Sequence, residues 1–360
     1  MKKVLFISTG GTIVSSDKGE GFEPYYSVDK LINAIDVKKQ VKIDGNLLMN
    51  IDSSNMTPEH WQKIARLISK KYKSYDAFIV SHGTDTMAYT ASALSYMLKD
   101  INKPVILTGA QHSIEETYTD ALQNLNDALL FAITNIKGVY ISFDGKLIKG
   151  TRAIKVKTMS YDAFKSVNFP YIANIKYGEI RFNKEIINLI QKDKKDKFKS
   201  NFKINDNIFI IKLYPGIDEA IFDFAKTNFD GVVIESFGIG GVPFKEKNIH
   251  KKVKELVQAN VAVVITTQCF EEGVNLDVYQ VGKKLLNQKI IFSGDMNTEA
   301  IVPKLMYALG NFKKLNDVKK YIEKPIENDK KLIVWKKFRN IEKNFSFVEK
   351  FFEFFPNSGY

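Results

Sequence analysis

The chain has 360 residues, enough at roughly 150 per domain for two separate cores. Its 44% hydrophobic and 26% charged residues exclude a disordered or fibrous chain, and no apolar run approaches the roughly 18 to 20 residues that cross a bilayer. The net charge of +12 is carried almost wholly by lysine, with arginine only at Arg66, Arg152, Arg181 and Arg339, which speaks for a solvated surface and against a nucleic-acid partner, since phosphate and base recognition favour arginine's planar fork.

In chain order, residues 4–9 form an apolar run ending in Gly10-Gly11 and read as a buried strand. Met1-Lys2-Lys3 before it, with only Val4-Leu5-Phe6-Ile7 following, is too short for a signal-peptide core; the expected location is the cytoplasm, with no membrane partner. Thr57-Pro58-Glu59 opens a helix, with Thr57 as N-cap and Pro58 at the first helical position, and Trp61, Ile64, Ala65 and Ile68 on its inward face. Strands follow at 77–80, 104–107 and 139–143, with helices at 86–98 and 119–132. Near residue 184 the pattern fails, and 191–197 is a lysine-rich, aperiodic stretch with the composition of a solvated linker. The alternation resumes with strands at 208–213, 232–235 and 261–266 and a helix at 298–309. The expected fold is α/β. A larger N-terminal domain (1–187) has a mainly parallel sheet flanked by helices; a linker (188–207) leads to a smaller C-terminal α/β domain (208–325). A basic, aromatic tail (326–360) is expected to pack on the body or on a neighbouring subunit. The single cysteine, Cys269, excludes an internal disulfide framework and a four-cysteine zinc site, and is expected buried as a small apolar residue.

Ligands of open α/β sheets bind outside the carboxyl ends of the strands, and three polar clusters fall at such positions. In Thr9-Gly10-Gly11-Thr12 the glycines permit a sharp turn and a close backbone approach, leaving Thr12 at the sheet edge. A plain strand exit explains the motif equally well, and without a following Gly-Lys-[Ser/Thr] it is no nucleotide loop. In Ser81-His82-Gly83-Thr84-Asp85-Thr86, Thr84 or Asp85 could cap the next helix, but hydroxyls, an acid and an imidazole around one glycine exceed what a cap needs. Asp52-Ser53-Ser54-Asn55 reads equally as a site for a carboxylate or as an elaborate cap. A threonine hydroxyl is a poor nucleophile unless a base or charged neighbour activates it. The 4 histidines form no His-Glu-x-x-His spacing and accompany no Gly-x-Ser-x-Gly elbow, which argues against metal-assisted hydrolysis and against a Ser-His-Asp enzyme. By pattern alone Lys155 is one lysine among many.

Thr9-Gly10-Gly11-Thr12-Ile13 and Ser81-His82-Gly83-Thr84-Asp85-Thr86-Met87 resemble the two signatures of the bacterial-type asparaginase/glutaminase family. Asp52-Ser53-Ser54-Asn55-Met56, Thr108-Gly109-Ala110-Gln111 and Asp162-Ala163-Phe164 support the match, and Thr90-Ala91-Ser92-Ala93-Leu94 looks more like the cytosolic type I branch. The resemblance implies hydrolysis of L-asparagine to L-aspartate and ammonia, without metal or organic cofactor. Thr12 matches the nucleophile, and Thr84, Asp85 and Lys155 match the second threonine, the acid and the lysine. Lys155 would lower the cost of deprotonating a threonine hydroxyl. Ser53 and Asp85 match the positions that grip the substrate's α-carboxylate and α-amino group, with Gly11, Asp52, Ser54 and Gly83 beside them. Backbone N–H groups near Gly11 and Thr84 would hold the oxyanion, at about 3 kcal/mol per donor.

A loop over 13–27 would close over substrate, and its activating tyrosine falls at Tyr25, next to Tyr26, or by another spacing at Phe22, which cannot relay a proton. His112, Thr117 and Tyr118 edge the pocket or serve the structure. Gly241 stands where an asparagine is usual, and Glu235 where some members carry an arginine linked to allosteric asparagine binding. The family builds its site between paired subunits, which implies a homodimer or homotetramer. Three other readings remain. One is a preference for glutamine or dual specificity. Another is transamidation like that of archaeal amidotransferase subunits, against which the signature's start by residue 10 counts. The last is a non-catalytic amino-acid sensor.

Overall fold

The computed structural model describes residues 1–11, 13, 15–17, 22–24, 28–35, 41–191, 198–243, 247–274 and 289–331; Thr12, Tyr25, Tyr26 and the tail from 332 onward lie outside the described residues. β1 (Lys2–Gly10) buries both of its faces, Val4 and Phe6 against one layer and Leu5 and Ile7 against the other, so its sequence is a continuous apolar run. The hairpin β2 (Ser15–Asp17) and β3 (Phe22–Pro24) follows, then α1 (Val28–Ala34) and β4 (Val41–Ile51), which pairs in parallel with β1. α2 (Pro58–Lys71) begins at Pro58 behind Thr57 and buries Trp61, Ile64, Ala65 and Ile68, the face the sequence marks. β5 (Ala77–Ser81), α3 (Met87–Met97), β6 (Pro104–Thr108), α4 (Ala121–Ala132) and β7 (Gly138–Phe143) continue the alternation.

The sheet ends in an antiparallel edge of β8 (Lys146–Lys149), β11 (Ala173–Lys176) and β12 (Glu179–Phe182). The order of its eight strands is β12-β11-β8-β7-β6-β5-β1-β4. Between β8 and β11 the chain leaves the sheet to form a separate two-stranded ribbon, β9 (Ala153–Lys155) and β10 (Phe164–Ser166). α5 (Lys184–Gln191) closes this half.

The second half is a parallel four-stranded sheet of β13 (Ile208–Lys212), β14 (Gly231–Ser236), β15 (Ala262–Thr267) and β16 (Ile291–Phe292). Its described helices are α6 (Ala220–Asn228), α7 (Ile249–Gln258), α8 (Thr298–Asn311) and α9 (Leu315–Glu323). α3 packs against α8 and is buried on nearly all sides, which explains why its sequence shows little amphipathic contrast. The fold is therefore the expected mixed α/β one, with a large N-terminal sheet domain and a smaller C-terminal domain.

Some expectations need correction. The pattern break near 184 is helix α5, whose Ile186 and Ile190 are buried beneath the sheet; the lysine-rich run behind it hides this amphipathic turn. From 198 onward the expected linker is packed, with Phe198 4.5 Å from Tyr72 and the Arg66 guanidinium 4.7 Å above Phe202. Cys269 is exposed, because β15 ends at Thr267 and the cysteine falls in the bend beyond it. Residues 326–331, the start of the tail expected to pack on the body or a neighbouring subunit, do pack on the body, between the two halves, where the Thr151 hydroxyl donates to the Glu327 carbonyl at 2.8 Å and Arg152 Nε to the Asn328 carbonyl at 2.6 Å. Among the described residues no helix is long and apolar enough to cross a membrane.

Candidate active site

The three polar clusters sit at the carboxyl ends of the parallel strands β1, β4 and β5, which the ladder holds side by side: Ser8 opposite Ser81, and Gly10 opposite Ile51. They converge because glycines allow it. Gly11 has φ +91°, and a β-carbon there would lie 2.5 Å from the Gly83 nitrogen. A β-carbon on Gly83 would in turn lie 2.6 Å from Ser53 Oγ. Gly11 therefore lies directly against the backbone of Gly83.

At that turn Lys155 Nζ donates to Thr84 Oγ1 and to Asp85 Oδ1, each at 2.7 Å. Thr84 Oγ1 donates onward to Gln111 Oε1 at 3.1 Å. The Gln111 amide is fixed by its own Nε2, which donates to the carbonyls of Thr158 (3.0 Å) and Ser160 (3.2 Å). The Thr84 proton thus points at Gln111, and its oxygen lone pair faces the ammonium. The Lys155 side chain is only 16% exposed and that of Asp85 is 64% exposed, so the cation is sheltered while the carboxylate faces solvent. Asp85 does not cap α3. Thr86 is the N-cap, and its hydroxyl donates instead to the Ser53 carbonyl at 2.8 Å, tying the second cluster to the third.

In the third cluster Asp52 caps a short 3-10 turn, accepting from the Ser54 backbone N–H at 2.7 Å; that bond, with help from the Ser54 side chain, holds its carboxyl below the ordinary range. Ser53 is buried and Ser54 exposed. Beneath the turn His82 is fully buried, with Nδ1 2.7 Å from the Gly83 carbonyl and Nε2 2.8 Å from Thr90 Oγ1. A carbonyl can only accept, so Nδ1 carries the proton and Nε2 accepts from Thr90. Burial pushes the imidazole pKa down to about 4, so this ring is neutral at physiological pH.

The structure thus brings Gly11, Ser53, Gly83, Thr84, Asp85 and Lys155 together; Thr12 and Tyr25 lie outside the described residues. Gln111 is the contact that pattern reading did not single out, although it follows the carboxyl end of β6 as the other clusters follow their strands. His112 pairs with Glu116 at 2.7 Å and stacks edge-on with Tyr161 at 5.5 Å, while Thr117 and Tyr118 are exposed. Gly241 closes a tight turn, its N–H donating to the Phe237 carbonyl at 2.7 Å, and Glu235 accepts from the Thr298 hydroxyl at 2.6 Å. Among the described residues no cluster of three or more His, Cys, Asp or Glu side chains could hold a metal.

Comparison with known proteins supports an amidohydrolase. The chain belongs to the asparaginase family: residues 3–188 match its N-terminal domain, and residues 207–322 match the glutaminase/asparaginase C-terminal domain. It is 35% identical over 331 residues to an L-asparaginase of Thermococcus kodakarensis, covering 91% of this chain and 98% of that one. It is 36% identical over 333 residues to a glutamyl-tRNA(Gln) amidotransferase subunit of Pyrococcus abyssi, covering 89% of this chain and 75% of that one. Among solved structures, the thermostable L-asparaginase of Thermococcus kodakarensis superposes with a TM-score of 0.86 at 34% identity, covering 92% and 99% of the two chains. L-asparaginase I of Vibrio cholerae does so with 0.80 at 29% identity, again covering 92% and 99%.

Proposed function

We propose that this amidohydrolase converts L-asparagine to L-aspartate and ammonia, with Thr12 as nucleophile. The observation that carries the reading is the Lys155 ammonium at 2.7 Å from both Thr84 Oγ1 and Asp85 Oδ1, beside the glycine turn that leads into Thr12. The Thr12 oxygen attacks the carboxamide carbon, and its proton passes through the Thr84–Lys155 group to the departing nitrogen, which leaves as ammonia. Water then cleaves the aspartyl ester, returning a proton to Thr12. The Lys155 charge stabilises the developing alkoxide, and backbone N–H groups near Gly11 and Thr84 take the oxyanion. Asp85, open to solvent, pairs with the substrate's α-amino group, and Ser53 with its α-carboxylate. Tyr25 assists Thr12 from the loop. The enzyme acts in the cytoplasm as a homodimer or homotetramer.

Thr12→Ala and Lys155→Met are each expected to stay folded and to lose ammonia release by several orders of magnitude; wild-type turnover in either removes the mechanism. The 36% identity to a glutamyl-tRNA(Gln) amidotransferase subunit favours a second reading, in which the amide nitrogen is delivered to a partner acting on charged transfer RNA. Ammonia release by the purified chain from free asparagine, compared with glutamine, separates the two. Rapid release from asparagine without any partner supports the first reading, and silence until tRNA and a partner protein are added supports the second.

A further inference from the structure

Lys155 sits on β9, which is three residues long and, among the described residues, pairs only with β10, in a two-stranded ribbon apart from the main sheet. A ribbon of that size is marginal on its own, yet it must hold the ammonium to within a fraction of an ångström. Its own domain gives it apolar packing, with Ala153, Ala163 and Phe164 buried in the core and Phe164 4.9 Å from Phe143, while its polar anchors come from the other domain. Asn297, the N-cap of α8, donates from Nδ2 to the Ala153 carbonyl at 2.8 Å, within β9 itself. Arg152, fully buried at the entry to β9, donates from Nη1 to Asp295 Oδ2 at 3.0 Å and to the Asp295 carbonyl at 3.1 Å. Past the end of β10, Asn168 Nδ2 donates to the same Asp295 carbonyl at 3.0 Å. One turn of the C-terminal domain, Asp295 to Asn297, therefore grips the ribbon where it starts, along its length and where it ends.

We propose that Asp295 and Asn297 are positioning residues for Lys155. By clasping Arg152, Ala153 and Asn168 they fix β9 in the register that keeps Nζ on Thr84 and Asp85. The proposal rests on the reading above in assigning Lys155 to the reaction; the clasp itself is a statement about the ribbon.

Two measurements on Asn297→Ala, with the isosteric Asp295→Asn as the milder second variant, test it in the full-length chain. In the first, hydrogen exchange is expected to speed by roughly tenfold or more at the Val156 and Val167 amides, which donate to Ala163 and Arg152 across the ribbon, while amides of β5 and β6 keep wild-type rates. In the second, kcat for asparagine is expected to drop by up to about 10²-fold with KM nearly unchanged, since a misplaced catalytic group weakens the transition state more than substrate binding. Adding either change to Lys155→Met should cost no further activity. Wild-type exchange in the ribbon, or acceleration spread evenly over both domains, overturns the proposal. If the wild-type chain released no ammonia, the functional reading would fall, and the exchange arm would still decide whether the clasp exists.

Discussion

Glu299 shows how a single side chain couples stability to pH. Burial, and then the nearby Glu235 carboxylate, push its pKa up to about 7 from the ordinary 4.5, against a lowering hydrogen bond from Asn297 Nδ2 at 3.0 Å. The folded state therefore keeps a proton that the unfolded chain releases. The sign follows: stability falls as pH rises from 4.5 to about 7 and stays reduced above it. Glu299→Gln is expected to flatten that part of the curve of melting temperature against pH and to raise the plateau above 7; an unchanged slope would show that Glu299 is ionised throughout. Residue identities in the site were partly legible. The Gly-Gly-Thr and His-Gly-Thr-Asp motifs mark strand exits by composition alone, but Lys155 emerged only through resemblance. A lysine on a short ribbon far along the chain has no local pattern to separate it from solvated neighbours. Gln111 was marked only as part of a supporting motif and given no role, since its importance lies in the hydroxyl it accepts from and not in its own sequence surroundings.

At the level of elements, the loop between β6 and α4 is pinned by one acid. Asp120, buried, accepts from the backbone N–H groups of Gln111 and His112 at 3.0 Å each and from Asn124 Nδ2 at the same distance. Asp120→Ala leaves those donors without their acceptor and is expected to lower stability by about 1–3 kcal/mol, read by urea unfolding, and to loosen the Gln111 side chain that orients Thr84. Most helices and buried strands were readable because burial writes itself into spacing, as in α2, but the short α1 and α5 were not. β4 was not, since as an edge strand it carries Lys42, Asp44, Asn46 and Asn50 among its apolar residues. The antiparallel edge and the β9–β10 ribbon were also hidden: strands of three or four residues are too short to show a period.

Across the whole molecule the two halves are joined by buried charge as well as by apolar packing. Lys304 of α8 and Asp329 of the docked segment lie 2.6 Å apart, both side chains 0% exposed, and the Tyr96 hydroxyl of α3 donates to the same carboxylate at 3.0 Å. Lys149 pairs with Glu327 at 2.8 Å nearby. Removing one partner strands the other in a dry interior, so Asp329→Ala is expected to cost about 3–5 kcal/mol, measured as a shift in the denaturant midpoint. A change below about 1 kcal/mol would mean that water reaches the seam. Two domains could be counted from the sequence, but their union could not, because its polar residues are scattered through the second half of the N-terminal domain and past α9.

The burial of α3 from both sides bears on how the polypeptide is made. A nascent chain leaves the ribosome N-terminus first, so α3 has its own sheet to rest on long before α8 and the segment around Asp329 have been translated. Until then Tyr89 and Tyr96 have no cover from the later half, and Lys155 waits on a ribbon whose clasp is still unmade. The contacts that grip the ribbon therefore form only after residues 295–297 have followed it out of the ribosome, some 140 residues behind Lys155.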